Sequence, residues 1–152
     1  MASTRVLVLY TGGTIGMVPV DPSHPDGARR PGAKADDPRD IPGVGERDGI
    51  HWELLSDPAL PPVYSSGIRA KDWLNMAAVL EREYANWDGF VILHGAGTMA
   101  DTASALSFLC ENLGKPVVAT GSQTPQFHDR TDGRLNLIHA LRIAAIAPPA
   151  SR

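Results

Sequence analysis

The 152-residue sequence predicts an α/β domain built on a doubly wound parallel sheet. Three observations carry that prediction. Short, almost wholly apolar runs recur along the chain, as strands buried on both faces do. Between them lie longer segments with apolar residues at helical spacing. Three of the apolar runs end in glycine- or serine-rich turns, and doubly wound sheets bind ligands beyond the carboxyl ends of their strands.

The first run, Arg5-Val6-Leu7-Val8-Leu9-Tyr10, is a buried strand that breaks at Thr11-Gly12-Gly13-Thr14. Residues 19–62 differ in character. They hold nine of the thirteen prolines and five glycines, a density that prevents a regular helix or a central strand. A long Pro/Gly-rich surface loop is therefore expected over 17–47, and two readings stay open for it: a mobile lid or disorder. A strand follows at 49–55. Residues 69–84 place Trp73, Met76, Ala77, Leu80 and Tyr84 on one helical face. Phe90-Val91-Ile92-Leu93-His94 is a second buried strand, ending in Gly95-Ala96-Gly97-Thr98. Residues 98–113 bring Met99, Thr102, Ala103, Leu106, Leu109 and Leu113 to helical spacing, with Gly114 as the stop. Pro116-Val117-Val118-Ala119-Thr120 is the next strand, and its turn is Gly121-Ser122-Gln123. A last helix opens at Asp132 and is halted by Pro148 and Pro149. Strands alternating with helices and joined by right-handed crossovers give a parallel sheet covered on both faces.

Composition narrows the function classes. Hydrophobic residues are 43% and charged residues 20%, the balance of one folded globular domain. A net charge of −3 argues against nucleic acid as the partner. No run approaches the roughly 18 apolar residues of a membrane span, so no membrane association is expected. The chain enters its first strand directly, and no signal peptide is expected. The one cysteine, Cys110, leaves no internal disulfide and fits a reducing, cytoplasmic location. Histidine, cysteine and acidic residues do not cluster at metal-ligand spacing, so neither a metal nor a cofactor is expected.

The turns are where chemistry would sit. Glycines at 12 and 13 let the backbone approach a ligand, and a threonine hydroxyl such as that of Thr14 is a nucleophile if a base activates it. The plainer reading is that Thr14 only hydrogen-bonds its own turn. Gly95, Gly97 and Ala100 fit a G-x-G-x-x-A dinucleotide pattern, but no acidic residue ends the following strand. Thr98 and Asp101 have capping-box spacing, and Asp101 is alternatively an acid or base beside the pocket. His94 reads as a hydrogen-bonded core histidine, and His128-Asp129-Arg130 as a solvated charge run.

At these same turns the sequence resembles the bacterial-type L-asparaginases. Thr11-Gly12-Gly13-Thr14-Ile15-Gly16 looks like the first signature of that family. Residues 90–121 look like the second signature and its following strand, and Ser122-Gln123-Thr124-Pro125 and Asp132-Gly133-Arg134-Leu135-Asn136-Leu137 continue the match. The resemblance runs from about residue 5 to 143 and implies the three-layer, Rossmann-like or flavodoxin-like large domain, with the family's small carboxy-terminal domain absent. It implies a threonine nucleophile at Thr14 that forms an acyl-enzyme. Where the family reads His-Gly-Thr-Asp-Thr-Met, this chain reads His94-Gly95-Ala96-Gly97-Thr98-Met99. The second catalytic threonine is thus replaced by Ala96 and the ammonium-binding aspartate by Gly97, and the chain ends or diverges before the partner lysine. The family's lid tyrosine, expected between about 17 and 30, has no counterpart, and its substrate-binding Asp-Ser-Ser is Tyr64-Ser65-Ser66.

The resemblance therefore implies a scaffold without its Thr-Asp-Lys relay. Backbone amides at Thr14 and Ala96 do not depend on side chains and would preserve an oxyanion site. The expected ligand is a small molecule with a carboxyl, ester or amide group and no amino group held in the family's way. Its binding residues would be Gly13, Ser65, Ser66, Gly95, Ala96, Gly97, Thr98, Ser122 and Gln123, with Thr14 and Asp101 as the reactive pair. The leading expectation is an enzyme repurposed for a biosynthetic step such as hydrolysis, acyl transfer or cyclisation. The alternatives are a non-catalytic binding or partner protein and a residual L-asparaginase. A homodimer or a partner chain is expected to cover the sheet edge left open.

Overall fold

The computed structural model describes residues 4–32, 49–55 and 57–146. Four strands form one parallel sheet: β1 (Thr4–Tyr10), β4 (Ile50–Leu55), β5 (Gly89–Leu93) and β6 (Val117–Thr120), in the order β4-β1-β5-β6. Three helices connect or cover them: α1 (Ala70–Glu83), α2 (Met99–Leu109) and α3 (Gly133–Ile146). Registers run from Thr4 opposite Ile50, from Val6 opposite Gly89, and from Phe90 opposite Val117.

The two central strands are apolar from Val6 in β1 and from Phe90 in β5, because each of those side chains meets a helical layer. Val6, Val8 and Tyr10 of β1 and Val91 and Leu93 of β5 share one cluster with Leu137, Ala140, Leu141 and Ala144 of α3. Leu7 and Leu9 with Phe90 and Ile92 face the other way, onto Met76, Val79 and Leu80 of α1 and Leu106 of α2. The sheet is thus sandwiched in three layers, as the alternation of strands and helices predicts. Leu9 is fully buried in the second cluster. Leu9→Ala is expected to cost about 2–5 kcal/mol, through lost transfer energy and the cavity left behind. Urea unfolding followed by circular dichroism reads this as a lower midpoint with an unchanged slope.

Three expectations need correction. The segment read as a surface loop from residue 17 contains an antiparallel pair, β2 (Met17–Pro19) with β3 (Arg29–Pro31). Its prolines are tolerated because a two-stranded ribbon leaves some N–H positions without a ladder partner. The part of that loop at 33–47 lies outside the described residues. Helix α2 ends at Leu109, ahead of Gly114, and the left-handed residue after it is Asn112, with φ 56°. Asparagine tolerates that conformation because its side chain is short and polar. Within α2, Thr102 and Leu106 are buried whereas Ala103 and Leu109 are exposed, so the buried stripe is narrower than the spacing suggests.

Among the described residues, no helix is long and apolar enough to cross a membrane, and no group of three or more histidine, cysteine or acidic residues is placed to hold a metal ion.

Candidate active site at the switch point of the sheet

The chain leaves β1, places β4 on one side of it, and then crosses over β1 through α1 to place β5 on the other side. The connections therefore diverge between β1 and β5. Such a switch point opens a crevice beyond the carboxyl ends of the two strands. The turns that follow β1 and β5 meet there.

Backbone contacts bring three segments together. Gly13 N–H donates to the Val63 carbonyl at 3.3 Å, and Val63 N–H donates to the Thr11 carbonyl at 3.1 Å. The Thr11 hydroxyl donates to the Leu93 carbonyl at 2.9 Å. Gly13 has φ 85°, and a Cβ there would lie 2.6 Å from Gly95 Cα. Only glycine fits a left-handed turn pressed so closely against another backbone. A Cβ on Gly95 would in turn lie 2.6 Å from Ser65 Oγ. Gly13, Gly95 and Ser65 are therefore mutual neighbours, although they come from three distant parts of the chain. The Thr98 hydroxyl donates to the Ser65 carbonyl at 2.9 Å and ties the second and third segments.

That bond overturns one expectation. Thr98 is the N-cap of α2, yet its side chain caps no helical amide. The short 3-10 turn Ala96–Thr98 leads directly into the helix, and the hydroxyl is drawn to the Ser65 carbonyl instead. Asp101 is exposed in the first turn of α2, where a carboxylate also complements the helix dipole.

Thr14 opens the 3-10 turn Thr14–Gly16 and is half-buried. Among the described residues, no hydrogen bond engages its hydroxyl. The plainer reading, a threonine bonded into its own turn, is not what the geometry shows. The neighbouring hydroxyls of Thr11, Thr98, Thr102 and Ser122 all have partners. Ala96, Gly97 and Ser66 are exposed, and Ser65 is half-buried. A Cβ on Gly97 would meet only Ser65 Oγ, at 3.4 Å.

The turn after β6 is held from below. Ser122 is buried and its hydroxyl donates to the Thr124 carbonyl at 2.6 Å. The Asp132 carboxylate accepts the Gln123 N–H at 3.0 Å and the Thr124 N–H at 3.1 Å. These amide bonds, the Gln123 one foremost, hold the Asp132 carboxyl below the ordinary carboxylate range. The stability this ion contributes is complete above the unfolded value of about 3.9 and is lost as pH falls through the lower folded value. Urea midpoints are therefore expected to drop between pH 5 and pH 2, and Asp132→Asn to flatten that drop.

Two interactions had no signal in the sequence. Tyr64 donates its hydroxyl to the Arg29 carbonyl of β3 at 2.7 Å, and an Arg29 guanidinium N–H donates to His128 Nε2 at 3.1 Å. The β2-β3 ribbon is thereby clasped against the turns from two sides. His128 is half-buried in this contact, so only Asp129 and Arg130 of that triplet are solvated. Both bonds join residues far apart in the chain, and no local pattern announces them.

The family described as the amino-terminal part of asparaginase matches residues 5–151. The chain is 40% identical over 159 residues to L-asparaginase 1 of Escherichia coli (strain K12), covering 97% of this chain and 42% of that protein. It is 37% identical over 157 residues to the 60 kDa lysophospholipase of Mus musculus, covering 92% of this chain and 28% of that protein. Among solved structures, L-asparaginase I from Vibrio cholerae O1 biovar eltor str. N16961 superposes with a TM-score of 0.78 at 39% identity, over 97% of this chain and 42% of that one. The chain thus spans well under half the length of these relatives.

Proposed function

The chain belongs to the asparaginase family through its amino-terminal domain, and from that premise we propose that it is a small-molecule enzyme of the same scaffold turned to a different acyl substrate. The substrate would carry a carboxyl, ester or amide group and lack an amino group bound in the asparaginase manner. One observation carries this reading. At the switch point, the half-buried Thr14 has no described hydrogen-bond partner for its hydroxyl, on a turn packed against the turn that holds Ala96 and Gly97. The nucleophile's place is kept, and the two positions beside it carry no titratable group.

In this reading the Thr14 oxygen attacks the acyl carbonyl, and the backbone amides of Thr14 and Ala96 stabilise the oxyanion. The oxyanion collapses with cleavage of the ester C–O or amide C–N bond, the departing alcohol or amine takes up the proton given up by the Thr14 hydroxyl, and the acyl group then passes from threonine to water or to another acceptor. Ser65 and Ser66 hold a carboxylate, and Gln123 lines the far side. Asp101, in the first turn of α2, is the nearest acidic residue in sequence to the Ala96 turn and is assigned the proton-transfer role. The relatives' own names support a scaffold that takes more than one acyl substrate, since one is called an L-asparaginase and another a lysophospholipase. A biosynthetic intermediate with an acyl group fits the less polar pocket that alanine and glycine leave.

The test is a panel of chromogenic esters, amides and dicarboxylic monoamides assayed with the full chain, beside L-asparagine and L-glutamine. Turnover of an amine-free acyl substrate at a rate above that of asparagine supports the reading. Asparagine as the preferred substrate overturns it. No turnover of any member favours the second reading, a binding or partner protein. That reading rests on the large apolar side chains left exposed on α2 and α3: Phe108, at 82% exposure, with Leu135 and Ile146.

A further inference from the structure

We infer that His94 is a positioning residue that aims the Ala96 amide at the reacting carbonyl, its ring held in place by the Thr102 hydroxyl, to which Trp73 donates. The inference rests on the oxyanion role proposed above for that amide.

His94 stands at the carboxyl end of β5 and is fully buried. Its Nδ1 lies 2.8 Å from the Gly95 carbonyl oxygen, and its Nε2 lies 2.9 Å from the Thr102 hydroxyl. The Trp73 indole N–H lies 3.0 Å from the same hydroxyl. An indole N–H only donates, so Thr102 Oγ1 accepts from it and is free to pass its own proton toward His94. A carbonyl only accepts, so the ring nitrogen facing Gly95 must carry the hydrogen. The four groups then form a single directed chain, from Trp73 to Thr102 to His94 to the Gly95 oxygen. Each donor and each acceptor is used once. The opposite tautomer would set the Nδ1 lone pair against the Gly95 oxygen, two acceptors face to face.

The end of this chain is the site itself. The Gly95–Ala96 peptide is trans, so its C=O and N–H point in opposite directions. Binding the carbonyl to the buried imidazole turns the Ala96 N–H away from the interior. Gly95 has no side chain to set that plane, and Ala96 is exposed. The imidazole is therefore the side chain that holds the Gly95–Ala96 peptide plane, on a turn whose other contacts are the packing against Gly13 and Ser65 and the Thr98 bond to the Ser65 carbonyl. Trp73 and Thr102 lie on α1 and α2, so the packing of both crossover helices is passed to one peptide plane.

Nitrogen-15 NMR of the full chain tests this without any substrate. The two-bond proton–nitrogen pattern of His94 is expected to show hydrogen on Nδ1 alone. Thr102→Val leaves the Nε2 lone pair unpaired in the interior and is expected to loosen the ring and shift the Ala96 amide resonance, while Thr102→Ser restores its position. Trp73→Phe lowers the melting temperature through lost packing but leaves the tautomer on Nδ1, because the hydroxyl can still donate. Hydrogen on Nε2 in the wild type overturns the inference, and this result is available even if a variant fails to fold. An Ala96 resonance unmoved in Thr102→Val also overturns it. A dead acyl-substrate panel with the expected NMR pattern would instead count against the catalytic reading alone.

Discussion

Thr14→Ala is expected to lower turnover of the accepted acyl substrate about a hundred- to ten-thousand-fold, the range that loss of one acid–base or nucleophilic contribution spans. The melting temperature should stay close to that of the wild type. The reasons for the two halves are separate. The Thr14 hydroxyl has no described partner, so its removal leaves no buried donor or acceptor stranded. A change at a half-buried position of this kind moves stability by about 0.5 kcal/mol. Activity is another matter, because the neighbouring threonine hydroxyls of Thr11 and Thr98 are committed to backbone carbonyls and cannot take over the attack. Steady-state hydrolysis alongside differential scanning calorimetry decides it. Unchanged turnover would remove Thr14 from the chemistry. A fall in turnover matched by a collapse in melting temperature would show a structural residue.

The second large effect runs in the direction of gain. Isothermal titration calorimetry should find no tight binding of L-asparagine to the wild type. In the double variant Ala96→Thr with Gly97→Asp, binding is expected to strengthen about tenfold to a hundredfold, as one charge-assisted hydrogen bond of about 1.5–3 kcal/mol provides. The geometry admits both side chains. Ala96 is exposed, and a Cβ at Gly97 meets nothing closer than Ser65 Oγ at 3.4 Å. Restoring a carboxylate there returns a partner for the ligand's ammonium group. If wild type binds asparagine as tightly as the variant does, the carboxylate is not the missing anchor and the reading of an amine-free substrate fails.

Much of the fold was legible before any coordinates. Five hydrophobic side chains of β1 and four of β5 are buried, and such doubly buried strands announce themselves as unbroken apolar runs. The face of α1 was read from Trp73, Met76, Ala77, Leu80 and Tyr84, all of which pack in one cluster. The weaker element was α2. Its small residues, alanine and serine, carry little periodic contrast, and its end was misplaced because Asn112 took the left-handed position expected of Gly114. The β2-β3 ribbon was missed because three-residue strands rich in proline and arginine carry no strand pattern at all.

The candidate site divides along the same line. Glycine-threonine turns after apolar runs were visible locally, as was the Ala96-Gly97 pair within the second of them. Those follow from residue order alone, because a strand, its turn and the next helix are contiguous in the chain. Three things were decided only by the tertiary structure. The Thr98 hydroxyl chose the Ser65 carbonyl over its own helix. Tyr64 and His128 reached across to the β2-β3 ribbon. Trp73, Thr102 and His94 came into one hydrogen-bonded line. In each case the competing partners are similar in energy, and the winner is whichever group the packing of distant elements brings within about 3 Å. Periodicity determines which face of an element is buried, but only the assembled sheet determines what that face, and the turn beyond it, will meet.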